Sequence, residues 1–275
     1  MKKLSFILFA IVALFGVHSA KAWNGIAHGN IVYIAEQHLT PEAKEKCRYY
    51  LRHTLAYYAS WMDYWRAMEQ FKKVNNPHSV MATSDGKGLL ITKGGNPKGR
   101  VMGHLRLALA ELGDGRYKNL PDSVVRQRLI NMVHYVPDMH CPSHVRFARA
   151  KIPQYKYSHI YNNGEKVGYH GFWDGSLSRG RKGWTNEDYY KRLDKVSKRQ
   201  AKAWQSGSLT DWGRDIVKGG HQGRALCPKG TDIAKMTKKQ KKEVTKLADE
   251  MALQAAYRLA HVLNTIFSDG NIPVK

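Results

Sequence analysis

Cysteine is scarce in this sequence: Cys47, Cys141 and Cys227 are the only three in 275 residues. Three thiols allow at most one internal disulfide bond, with one left over, and the spacing leaves the pairing open. That excludes a small scaffold stapled by several bridges. Acidic residues are also few, 22 against 45 lysines and arginines, for a net charge of +23. The balance excludes an acidic, self-solvating chain and creates a field that attracts polyanions. From charge alone, a basic surface that aids solubility or grips anionic lipid is an equal alternative. Strand-like alternation is sparse, and neither a fixed-period repeat nor a Ser/Pro-rich linker occurs. A single all-α domain is therefore expected.

Apolar runs are short except at the start. Lys2 and Lys3, the apolar residues 4–17 and then Ala20-Lys21-Ala22 give the charged head, apolar centre and small-x-small cleavage site of a secretory signal peptide over residues 1–22. A transmembrane anchor is the competing reading, but the run falls short of the ~20 residues that a span needs. Removal takes three lysines and no acid, which lowers the net charge from +23 to +20. Residues 23–275 then form the mature domain, delivered to the periplasm or secreted.

Trp23 would open that domain as W-N-G-I-A-H, with Ile31, Ile34, Ala35 and Leu39 following at helical spacing. A new N-terminus offers an amine and a carbonyl that can chelate a metal beside His28; an aromatic plug next to a surface histidine is the plainer alternative. Thr40-Pro41-Glu42 starts a helix expected to reach about Thr54. In Y-Y-A-S-W-M-D-Y-W-R, Asp63 lies among aromatics three residues before Arg66. An acid there needs an ion or a partner, and Arg66 is the simplest one. His78 follows a turn, and residues 84–100, rich in glycine and lysine, read as a mobile loop or a short hairpin. Val101, Leu105, Ala108, Leu109 and Leu112 mark a helix ending at Gly113.

The densest stretch is H-Y-V-P-D-M-H-C-P-S-H, residues 134–144. It follows a helix opened by Pro121-Asp122-Ser123 and puts His134 and Asp138 one helical turn apart, able to face a common ion. Pro137 and Pro142 are expected to break the helix, so that His144 approaches from another direction. Chance gives about 0.05 matches to H-x3-[DE]-x5-H in this composition, so partners elsewhere must decide its meaning. Cys141 could be a soft ligand, although a buried neutral thiol is the commoner state. Residues 146–161 are basic and aromatic, and Y-H-G-F-W-D sets His170 four residues before Asp174. Thr185 heads a capping box expected to open a helix through Ala203, and a long apolar stripe from Val244 to Ile266 marks a helix over 238–267.

In that order, W-N-G-I-A-H, A-S-W-M-D-Y-W-R, P-H, the 134–144 cluster, H-G-F-W-D and the late Y-R-L-A-H-V-L-N, the chain resembles the S1/P1 nuclease family. These are zinc-dependent secreted nucleases, relatives of bacterial zinc phospholipase C. The resemblance implies three Zn2+ ions. Asp63, His78, His134 and a bridging Asp138 would hold the first; His144, His170 and Asp174 the second; the amine and carbonyl of Trp23, His28 and Asp138 the third. It also implies that Asp63 orients or deprotonates the attacking water and that Arg66 stabilises charge on phosphate. His140 has no ligand role in the pattern and is given a supporting one.

The implied substrates are single-stranded DNA and RNA, cut to 5′-phosphorylated products, with 3′-nucleotides compatible with the same site and the protein acting as a monomer. Cys141 and Ser143 stand where Gln and Leu are common, and Pro137 where Gly is. Ser79, Val80 and Met81 follow His78 where relatives carry an aromatic and then an acid or amide that grip the base, so base preference is left unassigned. Two other readings stay open, a zinc phospholipase C and a non-catalytic zinc or nucleic-acid binding protein of the envelope.

Overall fold

The computed structural model describes residues 23–63, 79–149 and 159–275. The expected signal peptide, Arg66, His78 and most of the basic aromatic segment lie outside the described residues. Ten helices are described, α1 (Gly25–Gln37), α2 (Pro41–Leu51), α3 (Leu55–Tyr58), α4 (Arg100–Leu112), α5 (Asp122–Met139), α6 (Tyr169–Asp174), α7 (Asn186–Leu193), α8 (Lys198–Gln205), α9 (Leu209–Leu226) and α10 (Lys238–Phe267). The strands are short: β1 (Val80–Ala82) pairs in parallel with β2 (Val145–Phe147), and β3 (Tyr161–Asn162) pairs antiparallel with β4 (Glu165–Lys166). The fold is mostly helical, as the lack of alternation predicts. No helix among the described residues is long and apolar enough to cross a membrane.

At the centre lies α5, packed against α1, α2, α3, α4 and α10. The thirty-residue α10 covers α1, α2, α5, α8 and α9. Its buried stripe runs from Val244 through Leu247, Met251, Ala255, Leu259 and Leu263 to Phe267, and its capping box is made by Thr237 and Gln240. Burying this stripe, at about 25 cal/mol per Å² of apolar surface, is what holds the layers together. Neither Gly219 nor Gly220 of α9 can be replaced without moving a neighbour: a Cβ on Gly220 would lie 2.4 Å from Val145 Cγ2, and one on Gly219 2.4 Å from Met251 Sδ. This close approach seats α9 directly on the turn and strand of residues 142–147.

Several boundaries differ from the expectations, each for a local reason. Pro137 does not end α5, which continues to Met139. The carbonyls of the last turn find other donors, Pro137 O taking the Trp23 indole N–H at 3.0 Å and Val136 O taking His140 Nδ1 at 2.8 Å. The helix begun at Pro41 stops at Leu51 instead of Thr54, because Arg52 turns left-handed (φ 64°) and Thr54 caps the next turn. The helix expected through Ala203 is two, since Asp194 leaves helical geometry and Ser197 caps a new start. Helix α9, which opens with a Ser208–Asp211 capping box, was not anticipated, because four glycines dilute its apolar period. Residues 84–100 form the short-hairpin alternative, with antiparallel bridges Ala82 to Leu89 and Ile91 to Pro97. The expected disulfide is a correction: Cys47, Cys141 and Cys227 are all free and buried.

Candidate metal centre

Three separate parts of the chain meet at the end of α5. Trp23 is fully buried against it, and Asn24 donates its backbone N–H to Asp174 O at 3.0 Å while its side chain caps α1. This fixes the start of α1 between α5 and α6. His28, one turn into α1, then stacks on His134 with ring centroids 4.6 Å apart. The result is a buried group of His28, His134 and Asp138 whose candidate ligand atoms lie within 4.8 Å of one another. A second group of the same kind joins His144, on the turn after α5, to His170 and Asp174 on α6.

The hydrogen-bonding pattern around these groups has a specific deficit. Ala59 O accepts from His134 Nδ1 at 2.8 Å, so the proton of that imidazole is committed and Nε2 presents a lone pair. Yet His134 Nε2 faces Asp138 Oδ2 at 3.1 Å. Two acceptors at that distance need a cation or a proton between them. His28 Nε2 is 2.9 Å from Asp138 Oδ1 without the angles of a hydrogen bond, and both His28 ring nitrogens are buried with no hydrogen-bond partner. Across the site, His144 Nε2 and His170 Nε2 meet at 2.9 Å, and Asp174 Oδ2 is buried without a partner. Mixed imidazole and carboxylate donors with the other ring nitrogen held by a backbone carbonyl fit a zinc site.

Charge links the two groups into one centre. Burial alone would push the Asp138 carboxyl up, and the imidazoles of His134, His144 and His28 overcome it, holding it well below the usual carboxylate range. Burial works against a charged His134, but Asp138 and then Asp63 outweigh it and raise its pKa. Asp63 is itself buried. Asp174 goes the other way: desolvation, reinforced by Asp138 and Asp63, pushes it up to about 9 in spite of hydrogen bonds from Ser143 and Cys141. A carboxyl so placed holds a proton until a cation replaces it.

A pH dependence follows for the metal-free protein. Asp174 titrates near 3.8 when the chain is unfolded and near about 9 when it is folded. The folded state therefore binds the extra proton between those values, and stability is lost as pH rises through that window. Urea melts of the chelated protein should show a lower midpoint at about pH 8 than at about pH 5.5, with the slope flattened in Asp174→Asn. A chelated midpoint that does not fall with pH, or a slope unchanged in the variant, would contradict this.

Of the sequence-level candidates, Trp23, His28, Asp63, His134, Asp138, His144, His170 and Asp174 are all at or beside this centre, while Arg66 and His78 lie outside the described residues. Sequence reasoning missed the side chains that hold the candidate ligands. Ser143 Oγ donates to Asp174 Oδ1 at 3.2 Å, and Cys141 Sγ lies 3.7 Å from the same oxygen. These are two of the positions that depart from the resembled pattern, and that departure was the available signal. Arg258 of α10 also went unassigned: it is fully buried, and its NH1 donates to His140 Nε2 at 3.1 Å. A lone arginine inside an otherwise apolar stripe was its signature.

Comparison with known proteins gives a match to the S1/P1 nuclease family over residues 23–268. No curated protein matches the chain.

Proposed function

The chain belongs to the S1/P1 nuclease family, whose members are phosphodiester-cleaving hydrolases, and from that premise we propose an exported, zinc-dependent enzyme that cuts single-stranded DNA and RNA. Its products carry 5′-phosphate, and 3′-nucleotides serve as small substrates. The observation that carries the reading is the convergence of two His/Asp groups, with the facing acceptors of His134 and Asp138 needing a cation or a proton between them.

Asp63, His78, His134 and Asp138 would hold one zinc, His144, His170 and Asp174 a second, and the freed amine and carbonyl of Trp23, His28 and Asp138 a third. When bound, zinc supplies Lewis acidity that activates water and neutralises phosphate charge. The chain's own residues do the rest. The carboxylate of Asp63 orients the attacking water and accepts its proton. Arg66 meets the charge that grows on the phosphate oxygens. Ser143 and Cys141 hold Asp174 Oδ1, which lies 3.6 Å from His170 Nε2, and leave Oδ2 without a hydrogen-bond partner. His170 is 37% exposed while the other ligands of the two groups are buried, so substrate enters on its side.

Purified protein should cleave single-stranded DNA, RNA and 3′-AMP, lose that activity on complete chelation and regain it with added zinc. Cleavage unchanged by chelation would end the metal-hydrolase reading, and release of diacylglycerol from phosphatidylcholine in place of nucleotide products would replace it with a phospholipase C. Amino-terminal sequencing of the exported protein should begin at Trp23, since a retained Ala22 would lock the amine in a peptide bond.

A further inference from the structure

The turn α3 carries two faces with separate tasks. Inward, its C-cap Ala59 offers the carbonyl that orients His134. Outward, Tyr57 is 56% exposed and stacks on the exposed ring of His53, with centroids 4.2 Å apart and planes 18° from parallel. On its other side Tyr57 meets the half-buried Trp61 at 6.3 Å, and the buried Tyr58 braces Trp61 edge-on at 5.6 Å. Tyr58 is tied in turn to Leu51 O by a 2.8 Å hydrogen bond, so the platform has a rigid back. His53, Tyr57 and Trp61 recur every four residues, and the last of them stands two residues before Asp63 in the chain.

Cations flank this row. A cavity of about 260 Å³ beside it is lined by Lys44, Arg48, Arg52 and His53, with Glu36 as its single acid. Lys44, Arg48 and Arg52 are exposed and form no ion pair among the described residues. Arg52 is held in a left-handed backbone at a helix C-cap, where glycine is the usual residue and any other side chain costs on the order of 1 kcal/mol. That strain sets its guanidinium 5.7 Å from the ring of Tyr49, which is itself 53% exposed. Exposed rings gain little by burial, and beside them the strained Arg52 has only the half-exposed Tyr49 ring as a side-chain contact among the described residues.

We propose that His53, Tyr57 and Trp61 form a stacking platform for the bases of a single-stranded polynucleotide, with Lys44, Arg48 and Arg52 taking its phosphates. The inference rests on the nuclease reading and adds where the strand lies. Flat ring faces in a row suit unpaired bases, whereas the bases of a duplex are already stacked and out of reach. The 6.3 Å between Tyr57 and Trp61 is also close to twice the roughly 3.4 Å rise between stacked bases, room for one base after a small ring rotation. Such a platform is sequence-tolerant, and it stands in for the base-gripping aromatic that the Ser79-Val80-Met81 stretch lacks.

The test uses the zinc-loaded protein with a nuclease-resistant phosphorothioate oligo(dT) and its abasic counterpart, read by fluorescence anisotropy. Wild type should prefer the base-bearing strand. Tyr57→Ala should weaken oligo(dT) binding about tenfold, leave the abasic strand unaffected and retain hydrolysis of bis(p-nitrophenyl) phosphate, while Tyr57→Phe keeps the preference. Arg48→Ala with Arg52→Ala should weaken both strands alike and lower the salt slope by roughly 1.4. Equal oligo(dT) affinity in wild type and Tyr57→Ala would overturn the platform, even if the enzyme cleaves DNA. A base preference lost in Tyr57→Ala, in a protein that hydrolyses nothing, would keep the platform and reject the hydrolase.

Discussion

Asp138→Asn is expected to lower kcat/KM on single-stranded DNA by on the order of 10³-fold, about 4 kcal/mol, and to lower the bound metal measured by elemental analysis. Asp138 is fully buried, with both carboxylate oxygens facing imidazole nitrogens, Oδ1 to His28 and Oδ2 to His134. No other residue among the described ones is shared between two of the proposed ion sites. Asparagine preserves the shape and removes the charge, replacing one acceptor with a donor that points at a lone pair. The same comparison made with His140→Ala should show a smaller loss, because His140 reaches Arg258 and the backbone of its own helix and no candidate ligand. A larger effect at His140 would mean that the roles in the 134–144 cluster are wrongly divided.

Arg258→Ala is expected to cost about 3–5 kcal/mol of stability, read as a lower urea midpoint with an unchanged slope. The guanidinium, buried in the core beneath α10, makes three directed contacts: Nε to Trp204 O at 2.9 Å, NH2 to Asp215 Oδ2 at 2.9 Å and NH1 to His140 Nε2 at 3.1 Å. Burial lowers its pKa to about 10, still well above neutral, so it is a cation in the native protein. Because arginine can only donate, His140 Nε2 must accept, and the imidazole proton sits on Nδ1, bonded to Val136 O. Truncation strands the Trp204 carbonyl and the imidazole acceptor in the core, at about 1–3 kcal/mol each, and opens a cavity besides. Asp215 is 42% exposed and recovers water, so it adds little. Arg258→Lys should recover part of the loss, since one ammonium cannot span the three acceptors. A loss below about 1 kcal/mol in Arg258→Ala would show that this network is dispensable.

Much of the architecture is written locally. Thr185 and the Thr40-Pro41 pair announce helix starts because capping is decided within four residues, and the stripe from Val244 to Ile266 identifies α10 by its period alone. Two pairs of the candidate ligands, His134 with Asp138 and His170 with Asp174, are legible for a similar reason: histidine four residues before aspartate is a helical face, whether or not an ion sits on it. What escapes the sequence is whatever depends on a partner far away in the chain. Pro137 sits in a last turn whose carbonyl also takes the indole N–H of Trp23, 114 residues earlier, a contact no local pattern announces. The break at Asp194 is bound up with His38 and Tyr257, which converge on its carboxylate at 2.6 and 2.8 Å. Cysteine count permits a bridge, yet the three thiols are buried and free, and pairing is a matter of distance that composition does not contain.

The packing of α1 against α10 also bears on how the protein is made. His28 rides on α1, whose most extensive neighbour is a helix encoded some two hundred positions later. Through most of translation, a nascent chain therefore carries this imidazole without the wall that fixes it. In the exported enzyme proposed above, that order would make ion capture a late event of maturation, after the last long helix has docked.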